Sequence, residues 1–225
     1  MGKQIQELEK YIEELEKFQL PSYKELPDIP LYMEQVIGYV KEALHDLKID
    51  ENTTITPFMV NNYVKAKIID GPKDKKYNKN HIGYLIAISL MKSVVSMRDV
   101  AALIDVDNEL DGDTVNIYSI FKEMQEDAIR NVVHKVKVRS EFLKKNDKKG
   151  RKDIKGKKAQ EQENINLAYI ALKLYIDSEA NKLIADHIMS NLGNEILPKK
   201  VMEDNDETKY DMKKTSKTAK KLAVR

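Results

Sequence analysis

The stretch Thr56-Pro-Phe-Met-Val-Asn61-Asn62-Tyr63-Val-Lys65-Ala-Lys67-Ile-Ile-Asp70-Gly-Pro-Lys73-Asp-Lys75-Lys76-Tyr77 decides how the chain folds. A Thr hydroxyl accepts a free amide at a helix start, and Pro tolerates the first helical position, so Thr56-Pro57 predicts a helix running to about Lys67. Turn formers between two β-capable ends then predict a short hairpin, or wing, over residues 68–77. Asn78 is a second cap, opening a helix over 79–93 whose Ile82, Leu85, Ile86, Ile88, Leu90 and Met91 leave few polar sides, which places it centrally in the core. Ser96 with Asp99 three residues later resembles a capping box for a short helix through Ile104.

On the first of these helices, at 100° per residue, Asn61, Asn62 and Lys65 lie within about 100° of arc. Met59, Val60, Tyr63 and Val64 cover the opposite side. One face packs and the other presents two amides and an ammonium group. Amides pair bidentately with adenine in the major groove, and lysine reaches guanine edges or phosphates. Lys73, Lys75, Lys76 and Tyr77 on the hairpin would stand beside that face and contact backbone phosphates.

Working outward, Ile5, Leu8, Ile12 and Leu15 alternate at three- and four-residue steps, a two-heptad amphipathic helix over 3–18 suited to docking. Pro21, Pro27 and Pro30 make an extended connector. Leu31 to Leu47 reads as a further helix. Beyond a polar loop at 107–113, Ile117, Phe121, Met124, Ala128, Val132 and Val136 predict a long amphipathic helix, and Leu167 to Ile188 place another at about 160–192, ended by Gly193. The basic run 144–158 reads as a linker or charged arm that could touch phosphate nonspecifically, and residues 198–225 as a disordered tail. The expected organisation is therefore an amphipathic helix (1–20), a winged unit (21–106), a helical region (107–197) and the tail. The fold class is all-α, mainly helical, with a small β-hairpin wing.

Composition limits the alternatives. The 225 residues contain no Cys, which excludes disulfides, thiolate metal sites and a Cys nucleophile. His45, His81, His134 and His187 stand singly, without a carboxylate or second His at ligand spacing, and no phosphate-binding Gly loop, dinucleotide fingerprint or nucleophile elbow occurs. Acidic residues alternate from Asp105 to Asp113, but no register supplies both the Gly and the Glu of a calcium loop. The reading is of a chain without catalytic site, metal or cofactor. Lacking an apolar leader core or a run of 18 apolar residues, it is expected in the cytoplasm and not in a membrane. The net charge of +2 conceals blocks: residues 1–54 carry twelve acids against six Lys, whereas residues 55–81 carry six Lys against two Asp. Such blocks set local fields for an anionic partner.

The segment Ile55 to Pro72, followed by Lys75-Lys76-Tyr77 and the two helices to Ile104, resembles the winged-helix DNA-binding domain of the MerR transcription regulators. Asn61-Asn62-Tyr63 stands where those regulators usually carry Arg-Tyr-Tyr, and Lys76 where their wings use Arg. Over residues 20–105, Leu26-Pro-Asp-Ile-Pro-Leu-Tyr-Met-Glu-Gln-Val36 with Met59-Val-Asn-Asn-Tyr-Val-Lys65 and Lys75-Lys76-Tyr77 more closely resembles the bacterial domain of unknown function 1836 family. The resemblance implies a MerR-like winged helix-turn-helix and a regulator. The expectation is a protein that binds double-stranded DNA through Asn61, Asn62, Tyr63, Lys65, Lys73, Lys75, Lys76 and Tyr77 and forms a homodimer through its C-terminal helices. The contrasting expectation is an interaction adaptor on the same scaffold, docking a protein through residues 3–18.

Overall fold

The computed structural model describes residues 3–48, 54–109, 117–150 and 157–196. The expected calcium-like register (105–113), the end of the basic run and the 198–225 tail fall wholly or partly outside them. The elements are α1 (Lys3–Lys17), β1 (Leu31–Tyr32), α2 (Met33–Ala43), a 3-10 turn (His45–Leu47), α3 (Pro57–Lys65), β2 (Lys76–Tyr77), α4 (Lys79–Met91), α5 (Met97–Glu109), α6 (Ile117–Gly150) and α7 (Lys157–Ile196). The described residues are mainly helical, with a two-stranded antiparallel sheet.

Local chemistry explains the main boundaries. Thr56 Oγ1 accepts the Met59 amide at 3.3 Å and Pro57 occupies the first helical position, as expected. Asn78 caps α4 reciprocally: its Oδ1 accepts the His81 amide at 3.1 Å and its own amide donates to His81 Nδ1 at 3.1 Å. Ser96 Oγ accepts the Asp99 amide at 3.1 Å and opens α5, which runs five residues beyond the expected end at Ile104. The helix expected from Leu31 begins at Met33 instead, because Leu31 and Tyr32 are spent in β1.

The sheet differs from the expected hairpin. Leu31 pairs with Tyr77 and Tyr32 with Lys76, so β2 takes its main partner from the segment before α2. Ile68 and Ile69 form no strand; both are buried in the core. What remains of the hairpin is the tight turn Lys73–Lys76, closed by a 2.9 Å bond from the Lys76 amide to the Lys73 carbonyl.

Two apolar clusters organise the chain. The larger gathers the connector (Phe18, Leu20, Leu26), α2, α3, Tyr77, α4, α5 and the first turns of α6. Helix α4 lies within it, its residues 81–83 and 85–89 all buried. At Gly83 a Cβ would lie 3.1 Å from the Tyr118 ring, so only Gly lets α6 approach this closely. Tyr118 in turn donates to the Pro21 carbonyl at 2.8 Å, and buried Glu126 accepts the Leu20 amide at 2.9 Å while pairing with Lys122 at 2.8 Å. Burial pushes the Tyr118 hydroxyl well above its usual range.

The smaller cluster is Ile12, Val133, Val136 and Ile170, edged by Leu8 and Leu15. It takes up the apolar seam of α1, the helix whose pattern suits it to docking. Glu16 pairs with Lys137 across the contact at 2.6 Å, and Gln160 donates to Gln4 at 3.0 Å. The seam that the contrasting adaptor reading offers to a protein partner is thus used inside the chain. The basic run is also reassigned in part, since α6 continues through residues 144–150.

Candidate nucleic-acid interface

Helix α3 is divided as its sequence predicts. Val60 and Tyr63 are buried, Met59 and Val64 are half-buried against the same core, and Asn61, Asn62 and Lys65 are exposed. A fourth side chain joins the exposed stripe. Phe58 is 73% exposed and stands three and four residues before the two Asn, with Lys65 seven residues on. Those spacings put all four on one side of the helix. The helix ends in a Schellman arrangement: the Ile68 amide reaches the Tyr63 carbonyl at 2.9 Å and the Lys67 amide the Val64 carbonyl at 3.0 Å. Lys67 sits there at φ 55°, a position that favours glycine.

The cationic turn has the same peculiarity. Asp74 and Lys75 have φ of 51° and 61°, the pair of positive angles that a type I′ two-residue hairpin requires. Such turns are usually Asn-Gly or Asp-Gly; here the second place holds a lysine. Three of the four non-glycine residues with positive φ among the described residues therefore fall between 67 and 75. Each costs on the order of 1–2 kcal/mol relative to a relaxed backbone. Lys73 and Lys75 are exposed; Lys76 is half-covered, its Nζ lying 5.0 Å over the Tyr32 ring. A Cβ at Gly71 would lie 3.8 Å from the Val64 side chain, so the loop leading to the turn runs close alongside α3.

Two of the expected contact residues lie elsewhere. Tyr77 is 2% exposed and meets His81 edge-to-face at 5.5 Å; Tyr63 is also buried. Burial raises both hydroxyls above their ordinary values. They hold α3 and the turn onto a common core and do not face outward. Alternation along a two-residue strand turns Tyr77 inward once Lys76 faces out. His81 completes the support: its Nε2 lies 3.1 Å from the Asp70 carbonyl, and burial holds the imidazole below its usual range. Its Nδ1 lies against both the Asn78 amide at 3.1 Å and the Asn78 Oδ1 at 2.6 Å, so the ring ties the α4 cap to the start of the loop.

Among the described residues no carboxylate of the acidic N-terminal segment forms an ion pair with the exposed lysines of this surface. Lys65, Lys67, Lys73 and Lys75 form no ion pair among the described residues. Asp28 is taken by Lys79 at 2.5 Å, Glu14 by Lys48 and Glu16 by Lys137. The arrangement presents amides and one phenyl ring on a capped helix, with ammonium groups beside them. It offers no nucleophile–base pair. Among the described residues no three His, Asp or Glu gather to hold a metal. A groove of about 420 Å³ lies on the connector and α2, lined by Leu20, Pro21, Glu25, Tyr39 and Glu42. Its carboxylates are unsuited to an anion.

These features define a mainly α-helical protein in which a small antiparallel sheet braces a capped helix with a cationic surface. Residues 21–124 match the profile of the family described as Domain of unknown function (DUF1836). The match takes in every buried residue of the larger cluster except Phe18 and Leu20, and it stops within α6. No curated protein and no solved structure matches the chain. No helix among the described residues is long and apolar enough to cross a membrane.

Proposed function

We propose that the chain is a cytoplasmic double-stranded-DNA-binding protein, a transcription regulator built on a MerR-like winged helix-turn-helix. The observation that carries this reading is the outward face of α3, where Asn61, Asn62 and Lys65 are exposed on a helix fixed at both ends. Asn side chains read adenine edges, Lys65 reads guanine or phosphate, and Lys73 and Lys75 on the rigid turn neutralise flanking phosphates. Lys67, at the close of α3, adds a phosphate contact that the sequence alone did not single out. The left-handed lysines support the reading: glycine would relieve the backbone at 67 and 75 but remove the charge.

The regulator acts as a homodimer through α7. Among its described side chains only Ile170 is buried, whereas Tyr169, Leu172, Ile176, Leu183, Ile184 and Ile188 are exposed. A helix apolar on several sides requires cover beyond what α1, α5 and α6 provide. A second copy supplies it, and two recognition helices then read two half-sites.

Sheared genomic DNA passed over immobilised protein at about 0.15 M salt tests the proposal. Discrete fragments should be enriched, and Asn61→Ala with Asn62→Ala should lose that enrichment while still retaining bulk DNA at lower salt. Failure of the wild-type protein to hold DNA at any moderate salt would contradict it.

A further inference from the structure

Phe58 has no role in the interior: Val60 and Tyr63 fill the core side of α3, and the phenyl ring points out on the stripe of Asn61, Asn62 and Lys65. We propose that Phe58 is a specificity-determining residue that packs against the 5-methyl group of thymine in the major groove, an inference that rests on the DNA-binding reading above. A single exposed apolar side chain needs no explanation by itself. This one shares its stripe with two amides and with Lys65, which forms no ion pair among the described residues, so a fitting partner is anionic and also offers an apolar spot between hydrogen-bonding edges. Duplex DNA meets both conditions, because thymine is the base that shows a methyl group in the major groove and the phosphates flank it.

The spacing makes the inference specific. Phe58 precedes the two Asn by three and four residues, about 5 Å along the axis at 1.5 Å per residue. One base-pair step is about 3.4 Å. The thymine should therefore lie one to two base pairs from the adenine that an Asn amide reads.

The test uses the full chain and duplexes of 20 base pairs enriched by it from a random library. The enriched duplexes are resynthesised with deoxyuridine in place of thymidine, which removes only the methyl groups. Affinities are measured by fluorescence anisotropy for the wild-type protein, Phe58→Ala and Phe58→Leu. Thermal melting checks that both variants fold, as expected at an exposed position. Wild type should lose about fourfold per methyl contacted, Phe58→Ala should lose nothing on the same replacement, and Phe58→Leu should keep part of the preference. Equal losses in wild type and Phe58→Ala would overturn the assignment, since another side chain would then feel the methyl. Tight binding by wild type without any loss would also overturn it and leave the ring for a protein partner. Failure to enrich any duplex would remove the DNA-binding reading itself, and this proposal with it.

Discussion

Helices α4 and α7 are both apolar on more than one side, yet they meet different fates. In α4, Ile82, Leu85, Ile86 and Ile88 are fully covered by α2, α5, the sheet residue Tyr77 and the first turns of α6. In α7, Ile170 is buried while Leu183 is 62% and Ile184 65% exposed. The same kind of sequence pattern thus marks a finished core in one place and an uncovered surface in the other. Periodicity reveals that an apolar face will be covered; the partner is fixed by which elements the chain can bring to it. Around α4 those elements come from within the chain. Around α7 the missing cover is proposed to come from a second copy.

The same substitution in both helices separates these cases most sharply. Leu85→Ala should lower stability by about 3 kcal/mol, because a fully enclosed leucine leaves a cavity. Leu183→Ala should cost at most about 0.5 kcal/mol in dilute monomer, as for other surface sites. Denaturant midpoints at low protein concentration measure both, and comparable losses would mean that α7 is covered internally. Leu183→Ser combined with Ile184→Ser should raise the dimer dissociation constant at least tenfold, on the order of 1.4 kcal/mol of lost apolar contact. Sedimentation across a concentration series reads that change.

A smaller effect probes how the larger cluster supports the interface. Burial depresses the His81 pKa, so the unfolded chain binds a proton more readily than the folded one. Its neutral form contributes stability that is complete above about pH 6.5, the unfolded value, and is lost as pH falls through the lower folded value. His81→Gln should flatten the decline in unfolding midpoint between about pH 7.5 and 5. An unchanged decline would place the titrating group elsewhere. The smallest expected change is at the turn. Lys75→Gly should raise stability by up to about 1 kcal/mol, since φ 61° suits glycine, while weakening DNA binding a fewfold. A variant that is both more stable and equally tight would show that the strained lysine is not retained for its charge.

Much of the architecture was legible because it is local. Thr56, Asn78 and Ser96 announce helix starts through bonds to amides three residues on. The split of α3 into a packed and an exposed face follows from its period. Non-local features were hidden. The partner of β2 lies 46 residues earlier, at Leu31, and nothing in residues 68–77 points to it. Once that pairing forms, strand alternation buries Tyr77, overturning its expected place among the phosphate contacts. The docking helix 3–18 was visible, but its occupant was not, because Val133, Val136 and Ile170 are more than a hundred residues away in sequence. The exposure of Phe58 is hidden from the sequence for another reason. Sequence places apolar side chains inside by default, and only the filled space around Val60 and Tyr63 shows that this one has none to enter. Lys67 could have been found from sequence, since a residue just past a predicted helix end occupies the left-handed position.

The central claim is that the cationic turn beside α3 binds DNA. Its most direct test is fluorescence anisotropy on pooled genomic DNA fragments over a salt series, comparing the wild-type protein with a variant carrying Lys73→Glu, Lys75→Glu and Lys76→Glu. Four to six phosphate contacts predict a slope of log affinity against log salt of about −4 to −5 for wild type, with most of the affinity and of that slope lost in the variant. Equal and weak binding by both proteins would contradict the account.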